Sequence, residues 1–145
     1  MKKIFVILAA LAFVAADDDA NKKDMEKLQG DWAAFSMVRD GMSIPRDDAQ
    51  AFFRSVKGDK YTVFRYDEAV NKWSFTIDAT MKPKTMDVTP EGTDDKAKAS
   101  LGIYEFDGDK LKVCFAMPGK DRPTEFASKE GSGHALTVWE REKKK

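Results

Sequence analysis

The chain has 145 residues, with 25 basic and 25 acidic side chains, so its formal charge of zero offers no electrostatic basis for binding nucleic acid. One cysteine excludes an intrachain disulfide, and one histidine beside it leaves no recognisable zinc-ligand set. The length fits a single domain large enough to bury a core without covalent staples.

Lys2 and Lys3 precede an unbroken apolar run, Ile4 to Ala16. Val14 and Ala16 fit the −3 and −1 positions of a cleavage site, and Asp17-Asp18-Asp19 follow. The run is too short to span a membrane, so residues 1–16 are expected to be a secretory signal peptide. Three abutting aspartates argue against a buried N-terminal helix. Cleavage after Ala16 removes 2 of the 25 basic residues, leaving 23 against 25 acidic ones and a net charge of −2. The expected organisation is a signal peptide (1–16), a charged linker with a helical turn (17–29), a barrel (30–142) and a charged tail (143–145). The destination is periplasmic or extracellular.

Asp17 to Lys27 is highly charged and expected to be frayed or linker-like. Asp24 to Leu28 can form one or two helical turns, stopped by Gly30. The aspartate triplet could hold a hard cation, but a solvated charge run at a new N-terminus is the favoured reading. Trp32–Val38 reads as the first strand, and Asp40-Gly41 as a turn. Pro45–Gln50 reads as a short helical turn or loop that Ser43 could cap. Ala51–Lys57 and Lys60–Tyr66 form a hairpin about Gly58-Asp59, glycine first, as a type II′ turn requires. Asp67–Lys72 reads as a polar loop. Trp73–Asp78 alternates, with Trp73, Phe75 and Ile77 on one face. Lys84–Thr89 is a short polar strand, and Pro90–Lys96 an exposed loop.

Leu101–Phe106 and Asp109–Ala116 flank Asp107-Gly108, a type I′ hairpin signal. That loop would pair Phe106 with Asp109, Tyr104 with Leu111 and Gly102 with Val113. Gly102, Tyr104, Phe106, Leu111, Val113 and Phe115 then share the core face, and Ile103 and Cys114 lie on the other. Pro123–Phe126 is expected to be extended or a short edge strand, and Ala135–Arg141 is the last strand. Eight strands with short sequential links and almost no helix predict an all-β fold: an eight-stranded antiparallel up-and-down barrel, closed so that no edge is exposed.

Gly30-Asp31-Trp32, at the mouth of the first strand after a helical turn, resembles the first lipocalin signature. That resemblance implies a seal in which a terminal basic residue, here Arg141, stacks on Trp32. More of the chain resembles the lipocalin-like domain family abundant in planctomycete bacteria. The matching pieces are LQGDW (28–32), RDG (39–41), KGDKYTV (57–63), KPKTMDVTP (82–90), LGIYEFDGDKLKVCFA (101–116), PGKDRPTEF (118–126) and GSGHALTVWERE (131–142). The resemblance implies the barrel and carries no activity with it. The chain shows neither the second nor the third lipocalin motif and no long helix after the last strand.

The candidate chemistry is sparse. Gly131-Ser132-Gly133-His134 is not a nucleophile elbow and reads better as a loop. Cys114 lacks a CxxC partner and reads as an inert thiol. In the second hairpin, Phe52, Arg54, Val56, Tyr61, Val63 and Arg65 share one face. Turned inward, Arg54, Tyr61 and Arg65 would make a cationic spot suited to a carboxylate or phosphate. Because buried unpaired arginines are costly, the outward orientation is favoured, with Phe53 and Phe64 in the core. Arg122 could belong to a recognition loop at the barrel mouth, although Arg122 and Glu125 binding neighbouring loops, with Phe126 plugging one end, is favoured. A cavity lined by Phe75, Tyr104, Phe106 and Val113 is the expected ligand site. The expectation is therefore a non-catalytic, monomeric, exported binding protein for a small apolar or amphipathic molecule, with no cofactor and no metal. The alternative is a filled barrel with a structural or interaction role in the cell envelope.

Overall fold

The computed structural model describes residues 18–93 and 95–142. The expected signal peptide, Asp17 and the tail at 143–145 lie outside the described residues.

A helix, α1 (18–28), precedes the first strand. It replaces the frayed linker expected for this charged stretch, because its apolar positions find a surface. Leu28 is fully buried and Met25 packs against the core, while the intervening Glu26 and Lys27 stay in water. Burying one such stripe holds a helix that propensity alone would leave marginal.

Among the described residues nine strands follow: β1 (Gly30–Arg39), β2 (Met42–Ser43), β3 (Phe52–Lys57), β4 (Lys60–Arg65), β5 (Glu68–Asp78), β6 (Lys84–Pro90), β7 (Ser100–Asp107), β8 (Lys110–Phe115) and β9 (Ala135–Arg141). Each long strand pairs antiparallel with the next in sequence, and β1 closes the sheet by pairing with β9 from Trp32 to Arg39. The result is a closed eight-stranded up-and-down barrel, with the two-residue β2 appended to β1. β1 pairs with β3 only from Gly30 to Ala33. Beyond that, α2 (Arg46–Ala49) packs beside β1 with Ala49 buried. Its N-cap is Pro45, with no side-chain cap, so the capping role expected of Ser43 is not used.

The hairpins obey alternation, with one correction. In β3–β4, Lys57 pairs with Lys60 around Gly58-Asp59, as the glycine-first turn predicts. In β7–β8, Asp107 pairs with Lys110, so the loop is Gly108-Asp109 rather than Asp107-Gly108. Gly108 has φ 61° and Asp109 does not share a positive φ, which suits a II′ turn and not I′. The register consequently slips by two residues: Tyr104 faces Val113, and Gly102 faces Phe115. A two-residue slip keeps every side chain on its own face, so the predicted inner wall survives. Tyr104, Leu111 and Val113 are buried inside, and Phe106 and Phe115 pack against them.

Three further differences matter. Residues 68–72, expected as loop, extend β5; the chain reverses at Tyr66-Asp67 with Tyr66 at φ 54°. A bulge at Phe35 shifts β1 against β9, so buried positions run Trp32, Ala34, then Met37. Pro123–Phe126 is not a strand. It belongs to an irregular strap, residues 116–134, that lies over the outer face of β7 and β8. Ile103 and Cys114, paired on that face, are buried as a result, and Cys114 Sγ donates to Ala127 O at 3.4 Å.

Candidate functional site

The two ends of the barrel are built differently. At one end, α1 is fastened to the strand turns. Gln29 exchanges hydrogen bonds with the backbone of Gly58, donating through Nε2 at 3.0 Å and accepting through Oε1 at 2.7 Å. Ala79 N donates to Asn21 Oδ1 at 2.7 Å. Asp24 accepts from Tyr104 Oη at 2.7 Å and from Lys84 Nζ at 2.8 Å, so a buried hydroxyl and a carboxylate satisfy each other beneath the helix. Burial, helped by that bond to Asp24, pushes the Tyr104 phenol far above its ordinary range.

The expected seal is present at this end. Arg141 Cζ lies 3.8 Å from the Trp32 ring centroid, and the two residues are register partners. The guanidinium also donates to the carbonyls of Lys27 and Gln29, and Trp32 Nε1 donates to Leu28 O at 3.0 Å. Three consecutive carbonyls at the C-terminus of α1, which a helix leaves without partners, are thereby satisfied. Gly30 is required for a physical reason: its φ is 104°, and a Cβ there would sit 3.1 Å from Arg141 Nη1.

The other end is open. A cavity of about 470 Å³ extends into the barrel from a mouth formed by Arg39, Asp40, Met117, Pro118, Gly133 and Ala135. Its walls are mainly apolar and aromatic: Met37, Phe52, Val63, Trp73, Val88, Val113, Phe115 and Trp139, with Asn71, Ser100 and Thr137 as polar points. A volume and lining of this kind suit a small molecule.

Arg54 is part of that lining and is 1 % exposed. The orientation of its face is the main correction to the sequence reading. Arg54, Val56 and Tyr61 point inward, while Phe53 and Phe64 are only half-buried. Closure decides this, because Arg54 pairs with Trp32 and Val63, residues whose own faces are set by the core. The guanidinium stacks on Tyr61, 4.1 Å from the ring centroid, and lies 6.0 Å from Trp139. Among the described residues, Nη2 reaches only Met86 Sδ at 4.0 Å, and Nε has no acceptor. No carboxylate among the described residues forms a salt bridge with it. Burial pulls its pKa down, opposed by Tyr61; the same burial pushes the Tyr61 phenol up, opposed by Arg54. Stacking of this type is worth about 2 kcal/mol when desolvated. Desolvating the ion costs several kcal/mol, so the stacking does not offset it.

The remaining expected site residues divide. Tyr61 and Val113 line the cavity with Arg54. Phe75, Tyr104 and Phe106 do not; they fill the sealed half. Phe75 packs 5.8 Å from Tyr61, and Tyr104 meets Phe106 edge-on at 5.9 Å. Arg65 is exposed beside Phe52 and Tyr66. Arg122 lies on the strap, where Nη1 donates to Asp87 Oδ1 and to Gly102 O at 2.7 Å, a latch on the outer wall and not a group at the mouth. Phe126 is absent from the cavity lining, so it does not plug the mouth. Ser132 Oγ donates to Lys129 O and accepts from His134 N, the contacts of a turn.

Sequence reasoning did not single out Phe52, Val63, Trp73, Phe115, Thr137 or Trp139 as site residues. Alternation already placed Phe52 and Val63 on the face of Arg54. The Leu111–Trp139 and Val113–Thr137 pairings that bring β9 to the same wall exist only once the barrel closes.

Fold and cavity together define a lipocalin-like closed barrel, sealed at one end and open at the other. No family model, curated protein or solved structure matches the chain.

Proposed function

We propose that the protein is an exported, monomeric, non-catalytic container for a small apolar or amphipathic molecule, related to the lipocalin-like domains its sequence resembles. One observation carries the reading: the open half of the barrel is a cavity of about 470 Å³ walled by Phe52, Trp73, Phe115 and Trp139. A barrel serving only as scaffold gains nothing from such a void, since unfilled core volume forfeits packing contacts. The contrast within the molecule supports this, because Tyr104, Phe106, Phe75 and Leu28 fill the sealed half.

Native mass spectrometry of mature protein purified from its own exporting host tests the reading. A reproducible non-covalent adduct in the small-molecule mass range is the expected result. The mass should also show the chain beginning at Asp17. Bare protein in repeated preparations, together with failure of small apolar molecules to bind in titrations, would refute the container and favour a structural role in the cell envelope.

A further inference from the structure

We propose that Arg54 is an anchor for a carboxylate, so that the ligand is a singly charged anionic amphiphile held with its head inward and its apolar body toward the mouth. The inference rests on the container reading and names its ligand class.

Three observations carry it. First, Arg54 is a nearly fully buried cation inside the cavity wall and has, among the described residues, an unpartnered Nε and a thioether as its only acceptor. An arginine side chain carries several N–H donors and does not shed its charge at ordinary pH, so the unliganded protein holds an uncompensated ion. Second, the stacking surface is already occupied. Tyr61 covers one face of the guanidinium, which leaves the in-plane N–H groups for a planar oxyanion. Third, the charge balance suits a monoanion. The other cations of the region are engaged or elsewhere. Lys84 pairs with Asp24, Arg141 caps α1 behind Trp32, and Arg65 is exposed. Arg39 and Asp40, of opposite charge, both line the mouth, leaving Arg54 as the charged lining group at depth. A phosphomonoester, with a charge of about −1.5 to −2, would bring more charge than one guanidinium neutralises.

The geometry also orients the ligand. Arg54 lies near Trp139, and the mouth lies at Ala135, four residues along β9. At about 3.3 Å per residue the head would sit roughly 13 Å below the rim. The walls between are Phe52, Trp73, Phe115 and Val113, which suit an alkyl or aromatic body.

The test titrates full-length mature protein with decanoate and with 1-decanol, followed by calorimetry and by the fluorescence of Trp73 and Trp139. Decanoate is expected to bind at least about tenfold more tightly than the alcohol. In Arg54→Met that preference is expected to vanish. The unliganded variant is expected to melt several degrees higher, because a buried ion is replaced by an apolar side chain of similar length. A purely structural arginine would do the opposite and lower the melting temperature. Equal affinities for the two probes in the wild type would overturn the anchor while leaving the container intact, and that comparison needs no variant. Retention of the carboxylate preference in Arg54→Met would also overturn it. Binding of neither probe would overturn the container and the anchor together.

Discussion

Replacing Arg141 by alanine is expected to destabilise the fold by about 2–3 kcal/mol. The side chain makes two hydrogen bonds from a charged donor, to the carbonyls of Lys27 and Gln29, and covers the Trp32 ring at 3.8 Å. Bonds from a charged group contribute about 1.5–3 kcal/mol each at full strength, and exposed cation–π contacts about 0.5–1 kcal/mol. The guanidinium is only half-buried, so solvent screening takes a good part of that sum, and the desolvation that lowers its pKa takes some more. What remains is the cost of leaving the last carbonyls of α1 without donors. For a domain of this size the loss corresponds to a fall in Tm of roughly 10 °C. Urea unfolding followed by tryptophan fluorescence measures it, and an unchanged m-value would show that the transition remains two-state. Arg141→Lys keeps the charge but not the fork and is expected to recover less than half of the loss. Trp32→Phe keeps a ring while removing the donor to Leu28 O, and is expected to cost about 1 kcal/mol. A loss below about 0.5 kcal/mol in Arg141→Ala would show that the end of the barrel is held by packing alone.

Gly102→Ala would put a Cβ 2.4 Å from the Phe115 ring and 2.8 Å from Cys114 O, a clash that rotation of Phe115 relieves only in part; a loss of about 1–3 kcal/mol in urea melts is expected, and an unchanged midpoint would contradict the close approach. Cys114 is buried beneath the strap, and burial, aided by Glu125, pushes its thiol pKa up, so Ellman's reagent is expected to react only on local opening. Arg122→Ala removes the latch to Asp87 and Gly102 O and should speed that reaction about tenfold; an unaltered rate would mean that the strap is not held there. Tyr61 and Tyr104 have folded-state pKa values raised above the ordinary value near 10, chiefly by burial. Above pH 10 the folded state therefore binds more protons than the unfolded state, so stability is full below about pH 10 and falls as pH rises beyond it. Absorbance at 295 nm and circular dichroism should report their ionisation and the loss of structure together, and ionisation of both within an intact fold would refute the assignment.

Much of the barrel was legible locally. Alternation in β7 and β8 named the inner wall, and this survived an error in the turn because a slip of two residues preserves parity. The glycine-first turn at Gly58 and the bounds of Ala135–Arg141 followed from turn chemistry and composition. Residues 68–72 were misread because Glu68 and Lys72 are polar and exposed. On a strand whose outer face meets water, polarity does not mark a loop. Helix α1 was underestimated because its stability comes from docking onto Trp32 and Tyr104, not from its own charged sequence.

The orientation of β3 and β4 shows where local reading ends. Both faces of that hairpin carry aromatics, and one carries two arginines, so hydrophobicity alone favoured turning the arginines out. Pairing settled it the other way, because β3 must meet β1 at Trp32 and β1 must meet β9 for the barrel to close. By itself the sequence determined the fold class and the alternation of the walls, since periods and turns are properties of neighbours along the chain; the Trp32–Arg141 seal was implied by the resemblance of Gly30-Asp31-Trp32 to a lipocalin signature, and closure of β1 on β9 brings the two residues together. The tertiary structure alone decided that Arg54 is buried, that Arg122 is a latch, and that the void lies at the end away from α1. Each of these depends on which strands meet across the barrel, and no local pattern encodes that.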